Sequence, residues 1–409
     1  MVSTRLLRFT ALAFSLALVA CEDPWAVEDL SATGAPIVFA SMDAGLENSC
    51  GLDTAGKAWC WGTAAGTDSP RLMCQGPFDA LNNRAPDPIP CWDRPVPVAD
   101  DHRYTRLAIA DGGGTTYAIA DDGTLWGWGF VWNGETSGTY VHRWTGHPER
   151  VPGTEKWRFR TIDASNTTAC GIVTTGAIIC WGQPNMVTTL VPPACSAGPV
   201  NCFEPPVQVG TATNWVDVQV GMQSACALDD VGHAWCFGEG LYGQLGLNIA
   251  NACTSNGAGF RCTPDPTRVS STLSFVSLSL DGVQVCGILT NGDLYCWGLA
   301  ANQVRIYTPT LVGNGFSKVH VFGAPGYCAL RTAGTVWCTG LFGASGTLVQ
   351  IAVPGQMVGV ASGSEHACAW NAAGAAWCWG DATFGQLGDG NVRVAYGPTP
   401  YPVSAPYRY

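Results

Sequence analysis

Short runs in which apolar and polar residues alternate recur along this chain, each closing near a glycine. Trp215–Gly221 (WVDVQVG) and Phe275–Gly282 (FVSLSLDG) show the pattern. A period of two puts successive side chains on opposite faces and predicts half-buried strands; no long segment carries the 3.6-residue period of a helix. Two further apolar stretches follow each run around a tight, glycine-bearing turn, as in Cys226–Gly238 (CALDDVGHAWCFG). Aligned on that turn, the chain resolves into seven units. Their second strands begin CGLDTA at Cys50, YAIADD at Tyr117, CGIVTT at Cys170, CALDDV at Cys226, CGILTN at Cys286, CALRTA at Cys328 and CAWNAA at Cys368. Their third strands carry WCWG, WGWG, ICWG, WCFG, YCWG, WCTG and WCWG. After a variable segment comes a short proline-led strand, as at Pro95–Val98, Pro206–Val209, Pro266–Val269, Pro309–Val312 and Pro400–Val403. Proline at a strand start suits an edge position, because it has no N–H to offer a neighbour.

The strands are called a to d in order within each unit. Seven such units, 40 to 67 residues apart, predict an all-β fold: a seven-bladed β-propeller of four-stranded antiparallel blades over residues 37–409. The sequence leaves open whether each d strand completes its own blade or the next. If Pro400–Val403 joined the sheet of the first unit, pairing of the two chain ends would seal the ring, and deleting 398–409 would lower stability sharply.

The alignment also accounts for the cysteines. Of the 19, twelve form six pairs spaced by ten: Cys50/Cys60, Cys170/Cys180, Cys226/Cys236, Cys286/Cys296, Cys328/Cys338 and Cys368/Cys378. A glycine lies four residues before each second cysteine, at Gly56, Gly176, Gly232, Gly292, Gly334 and Gly374. In a three-residue hairpin loop that position is left-handed, a conformation glycine adopts without strain. Residue 226 then faces 236 as a non-hydrogen-bonded pair with Cα atoms about 4.5–5.5 Å apart, inside the range of about 4.4–6.8 Å that a disulfide spans. The spacing therefore predicts a staple across each b–c hairpin. Unit two lacks one, with Tyr117 and Gly127 in the cysteine positions. Three more pairs, Cys74/Cys91, Cys195/Cys202 and Cys253/Cys262, fall within c–d segments. Zinc sites favour C-x(2–4)-C knuckles and thiol redox sites C-x-x-C. Neither is present, so no metal and no cofactor is expected.

Cys21 stands apart. Arg5 and Arg8 precede an apolar stretch, Phe9–Ala20, too short to span a bilayer. Leu18-Val19-Ala20-Cys21 resembles the bacterial lipobox, whose cysteine is lipidated and becomes the mature N-terminus. That resemblance implies a lipoprotein signal peptide over 1–20 and a lipidated, palmitate-bearing tether over 21–36. It also implies an exported protein held by a lipid anchor in the bacterial cell envelope, at the outer membrane or cell surface. An oxidised, disulfide-bonded state fits that compartment. The net charge of −11, without a basic patch, repels phosphate backbones and argues against nucleic-acid binding.

The run G-x-x-x-C-A-L-x-x-x-G-x-x-x-C-W-G, then G-Q-L-G, then P-x-x-V resembles the regulator-of-chromosome-condensation repeat in its cysteine-bearing bacterial form. G-Q-L-G stands intact at Gly243–Gly246 and Gly385–Gly388. The resemblance covers about 37–403 and implies the propeller fold. The family takes its name from a nuclear nucleotide-exchange factor. The export signal, acidity and loops here depart from that case, so that activity is not carried over. Exported bacterial members include a protein that inhibits β-lactamases by binding them, so the resemblance implies recognition of a protein.

In an up-and-down unit the a–b and c–d connections share one face and the tight b–c turns the other. Every insertion falls in a c–d segment. Unit two's, Phe130–Arg150, gathers Trp132, Tyr140, His142, Arg143 and Trp144, residue types that form binding hot spots. These are the candidate binding residues for an unidentified protein or glycan. The a–b loops add Glu47, Asn48, Asn166, Gln223, Gln284, Glu365 and His366, expected around the channel mouth. No Ser/His/Asp set, H-E-x-x-H or phosphate-cradling loop is present, so no catalytic residue is assigned. The expectation is a monomeric, non-catalytic binding platform. The alternatives are a polysaccharide lyase or hydrolase using Glu365 or Glu47, and a purely structural envelope protein. Trp61, Trp128, Trp181, Trp297 and Trp379 recur in register and are assigned to packing between blades.

Overall fold

Each b–c hairpin turns on its glycine. Gly232 has φ 85°, and the Asp229 N–H bonds the His233 carbonyl across the turn at 3.1 Å. Leu228 then faces Ala234, and Cys226 faces Cys236. All six ten-residue pairs are disulfide-bonded: Cys50–Cys60, Cys170–Cys180, Cys226–Cys236, Cys286–Cys296, Cys328–Cys338 and Cys368–Cys378. Their geometry corrects the expected spacing. The Cα atoms stand 4.1 Å apart in every pair, closer than the about 4.5–5.5 Å of an unbridged rung. A non-hydrogen-bonded rung is the narrow one of a ladder, and these rungs lie at its close end. In unit two, Tyr117 faces Gly127 and meets the edge of Trp181 from the next unit at 5.7 Å, so packing replaces the staple. Cys74–Cys91 is also bonded, with Cα atoms 5.9 Å apart, and Cys262 is disulfide-bonded. Cys195, Cys202 and the side chain of Cys253 lie outside the described residues. Replacing Cys226 and Cys236 together by alanine should lower stability by about 2–3 kcal/mol, read as a shift in the urea midpoint.

The computed structural model describes residues 34–63, 72–75, 88–110, 114–132, 142–165, 168–182, 204–248, 253–255, 258–270, 272–322, 325–340, 346–393 and 396–406. Seven antiparallel sheets follow one another along the chain, each in the order a-b-c-d, with no α-helix among the described residues. Unit one adds a fifth strand, Leu72–Gln75, outside Pro88–Pro97. Unit four's insertion carries a small hairpin of its own, Cys253–Ser255 with Ala258–Phe260. In every unit the d strand pairs with its own c strand. The last, Tyr401–Pro402, lies on Ala376–Gly380. The proline-led strand at 400–403 thus stays in blade seven, and among the described residues no strand is exchanged between blades seven and one.

The a strands are Phe39–Ala44, Tyr104–Ala110, Phe159–Ser165, Trp215–Val220, Phe275–Asp281, Phe316–Val321 and Met357–Ser362. Each touches the next around the ring, and the last touches the first, so they surround a central channel. The core lies between blades. Trp61, Trp128, Trp181, Trp297 and Trp379 are all fully buried there, as their register implied. The intact G-Q-L-G turns explain two of their environments. Trp297 Nε1 donates to the Gln244 carbonyl at 3.0 Å, and Trp61 Nε1 to the Gln386 carbonyl at 2.8 Å. Each motif therefore latches the tryptophan of the following blade. Its last glycine permits the approach: a Cβ at Gly388, where φ is +67°, would lie 2.7 Å from Trp61 Nε1. Trp128 and Trp379 follow blades without the motif, and their Nε1 atoms find no acceptor among the described residues.

The seam between blades seven and one has no covalent connection, and side chains and backbone close it. Phe39 N–H donates to the Gly374 carbonyl at 3.1 Å, and Gly34 N–H to the Pro406 carbonyl at 2.6 Å. Ser49 Oγ donates to the Gln386 carbonyl at 3.0 Å and lies 2.6 Å from His366 Nε2. A Cβ on Gly363 would lie 1.8 Å from the Gly45 carbonyl oxygen. Backbone faces backbone there, so Gly363→Ala should force the seam apart at about 2–3 kcal/mol, lowering the thermal midpoint.

Candidate functional site

The c–d segments emerge beside the a–b loops. Thr63 N–H donates to the Glu47 carbonyl, Glu239 to Gln223, Leu299 to Val283 and Asp381 to Glu365, at 2.8–3.0 Å. The repeated bond fixes one loop-bearing face. In blade two the c and d strands, Leu125–Trp132 and His142–Arg150, pair with Phe130 opposite Trp144, Val131 opposite Arg143 and Trp132 opposite His142. Backbone pairing thus brings Trp132, His142, Arg143 and Trp144 onto adjacent rungs. Tyr140 lies outside the described residues.

The rim set divides. Glu47, Gln223 and Glu365 reach the loop face. Asn48, Gln284 and His366 do not ring the mouth; they start b strands and are buried between blades. Asn166 lies outside the described residues. Burial raises the Glu47 pKa, the charges of Glu365 and Asp381 add to this, and a hydrogen bond from Thr63 opposes it. Asp381 is held by Thr383 Oγ1 at 2.7 Å and Gln386 Nε2 at 2.8 Å. Burial pushes His366 down to about 3, against the Leu46 backbone, so its imidazole is neutral. The Ser49–His366 pair has no access for a substrate and serves as a pin between blades.

The residues that line the channel were not among the sequence candidates. A cavity of about 540 Å³ is lined by all seven a strands, with Asp43, Asp163, Asp217, Arg106, Lys318 and His320 as its charged or titratable groups. The inner edge of each a strand has no neighbouring strand, and an unpaired buried N–H is costly. Side chains from the preceding blades cap several of these groups. Ile109 N–H bonds Asp43 at 2.7 Å, Val220 N–H bonds Asp163 at 2.6 Å, and Val321 N–H bonds Ser279 Oγ at 2.9 Å. Ser362 N–H bonds His320 Nδ1 at 3.2 Å, and His320 Nε2 lies 3.6 Å from Asp43. The signal was present as polar pairs two apart: Ser41/Asp43, Thr161/Asp163, Asp217/Gln219, Ser277/Ser279 and Lys318/His320. Such alternation reads equally well as a solvent-facing side.

Burial raises Asp163 well above the usual carboxylate range, the charges of Asp43 and Asp217 add to this, and hydrogen bonds from Val220 and Ala164 oppose it. Burial also lifts Asp217 to about 6, against the charge of Arg106. A raised carboxylate contributes most at acid pH, and its contribution fades as pH rises through its folded value. Asp217→Asn should therefore gain about 2 kcal/mol relative to the native chain between pH 4 and pH 8, seen by chemical denaturation at both. Among the described residues, no three His, Cys, Asp or Glu side chains are grouped to hold a metal ion. No helix among them is long and apolar enough to cross a membrane.

No family model matches the chain. Solved propellers superpose on it. Human WBSCR16 does so with a TM-score of 0.68 and 17% identity, over 85% of this chain and 94% of that one. Yeast RCC1 (Prp20), in its structure with Kap60 bound, gives a TM-score of 0.62 and 16% identity, over 98% and 91%. Prp20p from Saccharomyces cerevisiae, in a structure reported with its binding properties to Gsp1p and histones, gives 0.60 and 17%, over 90% and 87%. The likeness is one of fold: this is an RCC1-like seven-bladed β-propeller.

Proposed function

We propose that this protein is a non-catalytic binding platform of the bacterial cell envelope, capturing a protein or glycan through the loop-bearing face. The observation that carries the reading is the pairing that gathers Trp132, His142, Arg143 and Trp144 on adjacent rungs of blade two, in a regular ring whose c–d segments leave beside the a–b loops. The solved relatives support a protein partner, since yeast RCC1 was determined with Kap60 bound. The disulfides support an oxidising compartment. On this reading residues 1–20 are the signal peptide, Cys21 carries the lipid, 21–36 form the tether and the propeller begins at 37. Replacing 131–148 by a short turn should abolish capture from envelope extract or a glycan panel and leave the thermal midpoint nearly unchanged; undiminished capture overturns the reading. Cys21→Ala should move the protein from the membrane to the soluble fraction.

The carboxylates Glu47, Glu365 and Asp381, whose charges act together at the rim, favour a second reading as a polysaccharide-cleaving site. Glu47→Gln abolishing turnover of a polysaccharide would establish it.

A further inference from the structure

On the loop-bearing face, blades four and five meet through two reciprocal arginine–tyrosine pairs. Arg261 of blade four lies over the Tyr307 ring of blade five at 4.1 Å, and Arg305 of blade five over the Tyr242 ring of blade four at 5.0 Å. Tight turns fix the positions. Arg305 pairs with Leu299 on the first rung above the short c–d turn of blade five. That turn is closed by Ala300 N–H to Val304 and Gln303 N–H to Ala300, with Gln303 left-handed at φ 64°. Arg261 precedes Cys262, which pairs with Glu239 on the top rung of blade four, and its carbonyl accepts the Gly240 N–H at 2.8 Å.

Both guanidiniums also hydrogen-bond the Tyr307 hydroxyl; with five N–H donors, a guanidinium so held has others left for a planar acceptor. Arg305 is exposed, and no carboxylate among the described residues bonds it. Burial raises the Tyr307 pKa, but hydrogen bonding and charge from Arg305 and Arg261 outweigh it and hold the phenol below its ordinary value. Two cations thus converge on one spot of a chain whose net charge is −11.

We infer that this cluster recognises the carboxylates of an acidic, aliphatic segment of a protein partner. The inference rests on the reading of this face as a binding surface and gives the partner its chemistry. Two observations favour a peptide over an anionic glycan. One face of each ring that a sugar would stack on already carries a guanidinium. Beside them, Leu241 is 39% and Val304 53% exposed, offering apolar contact that a glycan cannot use.

The test uses the full propeller and a fluorescein-labelled hexapeptide, Glu-Leu-Asp-Val-Glu-Leu, read by anisotropy. Its neutral counterpart, Gln-Leu-Asn-Val-Gln-Leu, and polygalacturonate are the comparison ligands. The acidic peptide should bind, and binding should weaken as salt rises. Arg305→Gln and Arg261→Gln should each weaken it about tenfold or more, with the thermal midpoint of Arg305→Gln held; Arg305→Lys should recover part of the loss. Equal binding of the neutral peptide, no binding by the native protein, unchanged binding in Arg305→Gln, or tighter binding of polygalacturonate each overturns the inference. A protein with the blade-two hairpin shortened should bind the hexapeptide unchanged, so failure of this inference and failure of the hairpin reading are separate results.

Discussion

Replacing Trp61 with alanine is expected to lower the stability of the propeller by about 3–5 kcal/mol, measured as a fall in the urea midpoint. The side chain is fully buried, its ring lies 5.7 Å from Phe39, and its Nε1 donates to the Gln386 carbonyl of blade seven at 2.8 Å. It stands at the one junction of the ring that no peptide bond crosses. Elsewhere, a weakened contact between blades still leaves them tied through a short d–a connection. At the seam the same loss lets the ends part. Trp61→Phe keeps most of the packing and removes one hydrogen bond, leaving the Gln386 carbonyl to Ser49 Oγ, so its cost should be only about 1 kcal/mol. A Trp61→Ala loss no larger than that of Trp61→Phe would mean that the seam is closed by something other than this side chain.

Acidification should act on the same seam. His366 has a folded pKa of about 3 against an ordinary value of 6.5. The unfolded chain therefore takes up a proton that the folded one refuses. The sign follows: stability is unaffected above about pH 6.5 and falls as pH drops toward 3, at up to about 1.4 kcal/mol per pH unit. Between pH 7 and pH 4 the loss is about 3 kcal/mol. Asp163 and Asp217 pull the other way, because their raised values favour the folded state at acid pH. Comparison with His366→Gln isolates the histidine. The native chain should exceed the variant most at pH 7, and the gap should narrow by about 3 kcal/mol at pH 4. A gap independent of pH would show that the imidazole is protonated, or exposed, in the fold.

The strand order within each blade was legible because one local constraint repeated. Glycine four before cysteine, and cysteine ten after cysteine, admit one hairpin register, and Cys226 opposite Cys236 follows from the turn alone. The same register sets Cys60, Cys180, Cys296 and Cys338 opposite their partners, although the 4.1 Å separation of their Cα atoms was not legible. Ownership of the d strands was not legible either, since Pro400–Val403 carries apolar and proline positions that suit an edge on either blade. Only contact with Trp377 and Cys378 decides it. The candidate site divides in the same way. Backbone hydrogen bonds place Glu47 and Glu365 on the loop face. By contrast, Asn48, Gln284 and His366 looked like rim residues because polar side chains at strand starts usually meet solvent. They are buried because the neighbouring blade covers that position. The channel belt required knowing that the a strands are innermost, which no single unit reveals.

Each blade is built from one contiguous stretch of chain, and the segments entering and leaving the ring meet through the Gly34–Pro406 hydrogen bond at 2.6 Å. The order of the blades around the axis is thus indifferent to where translation starts. A circularly permuted gene, with residues 34 and 406 joined by a short linker and a new start cut into any other d–a connection, would encode seven whole blades again.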